Sequence, residues 1–206
     1  MHSPEYDNPF VAVSGPPGCG KTTAAIKIAS YFNYSLLEEH PEKNIFVADA
    51  TRDPARWAFN SEVAFLMLKL EQNKEAQKFR KKQGVVQDTP DGQDVYSYGR
   101  DKLRGAEWEL FLDLYEALEP QLMKPSLIVC LEADAMEVIR RIQARGREYE
   151  QQITPADIQR LTDLNHDWIK KSGIPTVYIE TDHLNIAHDI DAENKMIDFV
   201  REHLHV

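Results

Sequence analysis

One stretch limits what this chain can fold into more than any other. It is Val-Ala-Val-Ser-Gly-Pro-Pro-Gly-Cys-Gly-Lys-Thr-Thr, from Val11 to Thr23. Gly15, Gly20, Lys21 and Thr22 fit the pattern Gly-x4-Gly-Lys-Ser/Thr. The apolar run from Phe10 to Val13 reads as a buried strand, and Lys21, Ala24, Ala25, Ile28 and Ala29 continue as a helix. Strand, loop and helix are the context that this pattern needs. Gly15, Gly18 and Gly20 let the backbone turn its N–H groups inward as a nest for phosphate oxygens. The helix N-terminus adds partial positive charge. Lys21 supplies a point charge for the terminal phosphates, and the Thr22 hydroxyl is a ligand for Mg²⁺. The loop residues Gly15, Pro16, Pro17, Gly18, Cys19, Gly20, Lys21, Thr22 and Thr23 are therefore assigned to a nucleoside triphosphate.

Bulk properties narrow what that nucleotide serves. The 206 residues suffice for one α/β domain with a sizeable core. A net charge of −10 argues against a nucleic-acid polymer and against an acidic membrane surface. Two cysteines, Cys19 and Cys130, make neither a disulfide framework nor a zinc site. Cys19 sits near a helix N-terminus, where a thiol pKa can fall, but it also suits an inert packing role. No leader or membrane-spanning run is visible, and the sequence reads as cytoplasmic.

Further along, strands alternate with helices, which predicts a single α/β domain with a parallel sheet. Residues 1 to 8 are polar and read as loose. A second strand from Tyr34 to Leu37 ends at Glu38 and Glu39. Ligands of such sheets sit beyond the carboxyl ends of the strands, and alternation lets one of these acids face the crevice. A solvated acidic pair before Pro41 fits the same residues. The connection from Pro41 to Ala50 has no clear form. A long helix is predicted from Pro54, with Asp53 as N-cap. Glu62 and Lys69 lie two turns apart on its largely apolar side. They suit either a polar ligand pocket or an ion pair at the edge of the core. A third strand, Val85 to Gln87, places Asp88 where an acid commonly organises Mg²⁺. Asp88 to Asp94 reads as turn, followed by helices from Tyr98 to Leu103 and from Ala106 to Leu118.

Leu127 to Leu131 reads as a central strand covered on both faces. Asp134 and Glu137 spell a capping box for the next helix. That helix runs into Arg140, Arg141, Arg145, Gly146 and Arg147, then Glu148 and Glu150. Basic residues suit any helix C-terminus, yet four arginines in eight residues of an acidic chain favour an anion site. Helix Pro155 to Lys171, strand Thr176 to Ile179 and helix Ile186 to Leu204 complete the chain.

The phosphate loop, the run Arg-Trp-Ala-Phe at Arg56 to Phe59 and the run Arg-Gly-Arg-Glu-Tyr-Glu at Arg145 to Glu150 together resemble the deoxynucleoside kinases. Among these, the bacterial deoxyadenosine and deoxyguanosine kinases are most similar. The resemblance implies a P-loop three-layer sandwich around a five-stranded parallel sheet in order 2-3-1-4-5. It implies transfer of the γ-phosphoryl group of ATP to the 5′-hydroxyl of a deoxynucleoside, and a homodimer. By the same resemblance, Glu39 is the general base and Asp88 the acid near Mg²⁺. Asp94 reads the base, and Tyr98 stacks on it. Arg141, Arg145 and Arg147 are lid arginines in a segment spanning 145–152, and Glu150 holds the sugar 3′-hydroxyl. Four positions depart from the family pattern: Thr51 for a tyrosine on the 3′-hydroxyl, Glu62 for a base-reading glutamine, and Lys69 and Thr89 for arginines. All four lie on the acceptor side.

Two other readings stay open. One is a related kinase whose acceptor carries an anionic group held by Lys69 and the arginines. The other is a nucleotide-binding protein without catalysis, against which Glu39, Asp88 and the arginines argue. Glutamate only accepts hydrogen bonds, so Glu62 favours donor-rich purine edges over thymine. Pairing between Lys69 and Glu62 would blunt that preference.

Overall fold

The computed structural model describes residues 8–147 and 150–204. The polar start up to residue 7, and Glu148 and Tyr149 of the arginine-rich run, lie outside the described residues. Five strands, β1 (Phe10–Ser14), β2 (Ser35–Leu37), β3 (Val85–Asp88), β4 (Leu127–Glu132) and β5 (Thr176–Glu180), form a parallel sheet in the order β2-β3-β1-β4-β5. This is the expected order. The register pairs Val13 with Asp88 and with Val129, so β1 ends in the middle of the carboxyl edge.

Side chains alternate across the sheet and separate two layers of helix. Val11, Val13, Val129 and Ile179 pack with Ala24, Ala25 and Ile28 of α1 (Lys21–Phe32) and with Met196, Ile197 and Val200 of α9 (Ile190–Leu204). On the opposite face, Phe10 and Val85 meet Ala76 of α3 (Pro54–Arg80), and Ile128 and Cys130 meet Ile169 of α8 (Pro155–Ser172). Each Val, Ile, Phe or Met side chain among these, taken fully out of water, contributes roughly 1.5–3 kcal/mol. Ser14, on this second face, is also fully buried and turns toward α8 rather than α1.

Several boundaries differ from expectation for local reasons. The second strand starts at Ser35, because the Tyr34 N–H is taken by the Ala29 carbonyl in the cap that closes α1 at Asn33 (φ 53°). Residues 41–52 form a short 3₁₀ turn (Pro41–Lys43) and α2 (Val47–Arg52). Asp53 precedes α3 but makes no side-chain cap. The stretch read as turn up to Asp94 is already helical from Asp91. It comprises α4 (Asp91–Gln93), a π-helical segment (Asp94–Gly99) and α5 (Arg100–Lys102), followed by α6 (Gly105–Leu118). Asp134 caps α7 (Ala135–Arg145) through the Met136 N–H at 2.8 Å, but Glu137 pairs with Arg140 and Arg141 instead of closing the box. The reciprocal box stands at α8, between Thr154 and Asp157. The last helix begins at Ile190, because Asp189 Oδ1 accepts from the Asp191 N–H there, at 2.9 Å.

Candidate active site

A cleft of about 520 Å³ opens at the carboxyl edge of the sheet. The phosphate loop forms one end of it. Gly15 has φ +138°, and a Cβ there would stand 2.5 Å from the Leu131 carbonyl oxygen, so only glycine fits this turn. Lys21 Nζ folds back on the Gly15 and Pro16 carbonyls at 2.9 and 3.1 Å, and lies 3.4 Å from the Tyr98 hydroxyl. Burial disfavours its ammonium, but Tyr98, Cys19, Asp88 and Glu39 together raise its pKa, so Lys21 stays charged. Pro17, Gly18, Gly20, Thr22 and Thr23 line the cleft, whereas Gly15, Pro16 and Cys19 are buried and do not line it. The Cys19 thiol is buried, and burial pushes its pKa up, contrary to what a helix N-terminus suggests. It is a packing residue.

The acids divide into two groups. Thr22 Oγ1 donates to Asp88 Oδ2 at 2.6 Å. These two hard oxygen donors lie side by side at the loop's mouth, which suits Mg²⁺ with the remaining ligands from phosphate and water. Among the described residues no cluster of three or more His, Cys, Asp or Glu offers a protein-only metal cage. Glu39 faces the cleft while Glu38 is exposed, as alternation requires. The Glu39 charge contributes to the raised pKa values of Lys21, Lys69, Asp94 and Tyr98, which places it electrostatically at the centre of the site.

Thr51, Glu62, Asp94, Tyr98 and Glu150 line the same cleft. Burial, with Glu39, Asp91 and Glu62 nearby, pushes Asp94 up to about 8 against the opposing pull of Lys69. Asp94 Oδ2 lies 3.3 Å from Lys69 Nζ, yet it makes no aligned hydrogen bond, so the ammonium offsets that burial only in part. Lys69 does not line the cleft and does not pair with Glu62. Its Nζ instead donates to the Thr89 carbonyl at 2.5 Å, with the Asp88 carbonyl at 3.4 Å. Thr89 has φ 65°, a backbone state that strains a β-branched residue, and Lys69 secures that turn. Glu62, buried at 2 % exposure, pairs with Lys102 at 2.7 Å. Thr51, which lines the cleft, donates its hydroxyl to the Val47 carbonyl at 2.9 Å.

Arg141, Arg145 and Arg147 line the cleft, and Arg140 does not. Arg141 is held by Glu137 and by the Thr181 carbonyl. Arg145 and Arg147 both face Glu150, at 2.5 and 3.6 Å.

A sequence profile described as "Deoxynucleoside kinase" matches residues 11–205. The chain belongs to the deoxynucleoside kinases. It is 28 % identical over 155 residues to a deoxyguanosine kinase of Bacillus subtilis, covering 74 % of each chain. It is 23 % identical to a deoxyadenosine/deoxycytidine kinase of the same organism, over 96 % of this chain and 94 % of the relative. Its backbone superposes on deoxyadenosine kinase from M. mycoides with bound dCTP at a TM-score of 0.75, with 19 % identity, 95 % of this chain and 98 % of that one. The expected fold and family both stand.

Sequence reading of this kinase missed Gln93 and Lys102. Gln93 lies in a stretch that reads as turn and touches the phosphate loop only through the fold. Lys102 pairs with a residue 40 positions away, a distance at which no periodicity speaks. Asp157 also lines the cleft. It was legible, since Thr154-x-x-Asp157 before an apolar run is a capping signal.

Proposed function

We propose that this kinase transfers the γ-phosphoryl group of ATP to the 5′-hydroxyl of a purine deoxynucleoside. One observation carries the reading: Lys21, Thr22, Glu39, Glu62 and Asp94 line a single cleft, and the Glu39 charge acts on both Lys21 and Asp94. Gly15 to Thr23 cradle the triphosphate. Lys21 turns from the loop carbonyls to the phosphate oxygens. Thr22 and Asp88 would hold Mg²⁺, which supplies charge neutralisation between the phosphates. Glu39 accepts the proton of the 5′-hydroxyl. Arg141, Arg145 and Arg147 neutralise the moving phosphoryl group. Thr51 and Glu150 face the sugar, Tyr98 stacks on the base, and Asp94 with Glu62 accepts from the amine and ring N–H of guanine or from the amine of adenine. The relatives named for deoxyguanosine and deoxyadenosine support a purine. One relative is also named for deoxycytidine, whose base carries an exocyclic amine as well.

The segment 145–152 acts as a lid, with Gly146 (φ 71°) as its pivot. We take the chain to work as one P-loop kinase unit, in the cytoplasm, without a nucleic-acid or membrane partner. Among the described residues, no helix is long and apolar enough to cross a membrane. Exposed Met67 on α3 and Leu110 on α6, helices that pack on each other, suit a homodimer face. The test is transfer of label from γ-labelled ATP to each natural deoxynucleoside, with Lys21→Ala as control. Labelled 5′-monophosphate that disappears in the folded control is the expected result. No label on any deoxynucleoside overturns the reading.

A further inference from the structure

Gln93 is buried at 1 % exposure, and its carboxamide is fully used. Oε1 accepts from the Gly15 N–H at 3.2 Å and from Ser14 Oγ at 2.8 Å. Nε2 donates to the Gly15 carbonyl at 2.7 Å and to the Tyr98 hydroxyl at 3.1 Å. Gly15 offers one donor and one acceptor, so the amide orientation is fixed: a flipped amide would set N–H against N–H and oxygen against oxygen. Ser14 Oγ also lies 3.1 Å from Asn165 Oδ1 on α8. The first glycine of the phosphate loop is thus clamped through both of its backbone polar groups by a side chain from α4.

Two features give the clamp a consequence beyond packing. Lys21 shares two of its contacts, the Gly15 carbonyl and the Tyr98 hydroxyl. When Lys21 leaves for phosphate, Gln93 still satisfies both, so the loop keeps its shape. Gln93 also directly precedes Asp94, and Tyr98 lies in the same π-helical segment. One side chain therefore joins the phosphate loop to the wall at the acceptor end. We propose that Gln93 is a positioning residue that couples acceptor occupancy to nucleotide affinity. The proposal rests on the acceptor placement given under Proposed function.

The test measures the dissociation constant of the β,γ-imido analogue of ATP with and without deoxyguanosine, in the parent and in Gln93→Glu. A carboxylate keeps the size but cannot donate to the Gly15 carbonyl. The parent is expected to bind the analogue about fivefold tighter when deoxyguanosine is present. In Gln93→Glu the analogue alone is expected to bind about tenfold more weakly, and the deoxyguanosine effect to vanish. A purely structural role would lower the melting temperature and the active fraction but leave the ratio of the two constants unchanged. A folded variant with unchanged constants and ratio overturns the proposal. If Gln93→Glu does not fold, Ser14→Ala removes one bond to the same amide. It should lower the ratio about twofold, and an unchanged ratio there is equally fatal. Turnover separates this inference from the function it rests on. A parent that phosphorylates deoxyguanosine without any coupling removes the role of Gln93 alone, and a parent with neither turnover nor coupling removes both.

Discussion

Asp94 shows how much one buried side chain can say about acceptor choice. Its carboxyl is pushed up to about 8, so it binds its proton more tightly folded than unfolded. Its contribution to stability is complete below the unfolded carboxylate range, near about 4, and is lost as pH rises toward the folded value. Only the ionised form accepts from both the amine and the ring N–H of guanine. Since kcat/KM reports the free enzyme, its value for deoxyguanosine should rise with pH through about 8. Asp94→Asn should flatten that limb, and an unchanged limb in the variant would remove Asp94 from the base. Glu39 carries a second expectation at this scale. Glu39→Gln should lower kcat by about two orders of magnitude while Glu38→Gln stays near the parent, and equal rates would remove Glu39 as base. Strand alternation made it legible that one of the two acids faces inward; that it is Glu39 came from the family resemblance. The partner of Lys69 was not legible. A lysine two turns from Glu62 on one helix reads as its mate, but the ammonium reaches instead to the strained Thr89 turn, which follows β3.

The elements divide the same way. β1 and the start of α1 were legible to within a residue, because the phosphate loop fixes their inner ends. The helical start from Asp91 to Ser97, ahead of the helix expected from Tyr98, was hidden by Thr-Pro-Asp-Gly, which spells a turn locally. There Pro90 leads into the helix, and Gly92 lets the Trp168 ring of α8 lie on its backbone, where a Cβ would stand 2.3 Å from the indole. Packing thus overrides the local signal. The arginine cluster at the end of α7 was legible, but its pairing with Glu150 was not. In this arrangement Arg145 and Arg147 are neutralised by the Glu150 carboxylate, which phosphate would replace if the proposed lid closes. Hydrogen exchange across 145–152 should therefore slow when ATP and deoxyguanosine are bound, as Arg145 and Arg147 exchange Glu150 for phosphate. Identical exchange with and without ligands would count against a lid.

For the whole molecule, the sheet order places every proposed reacting group at one edge, with the nucleotide end built by β1 and β3 and the acceptor end by the helices between β2 and β4. The ATP end follows a local pattern and was readable. The proposed acceptor end draws on α2, α3 and the π-helical segment, where no local pattern spells the site, and the departures at Thr51, Glu62, Lys69 and Thr89 gained meaning only from their partners. Exposed Leu110 and Met67 bear on assembly. Sedimentation should give twice the chain mass and Leu110→Asp a single chain, whereas an unshifted variant would place the contact elsewhere. The central claim is purine phosphorylation in a pocket rich in acceptors. Its most direct test is kcat/KM for deoxyguanosine, deoxyadenosine, deoxycytidine and thymidine at fixed ATP. A purine should lead and thymidine trail by about tenfold or more, since thymine sets two carbonyls against Asp94 and Glu62. Thymidine as the best acceptor would contradict the account.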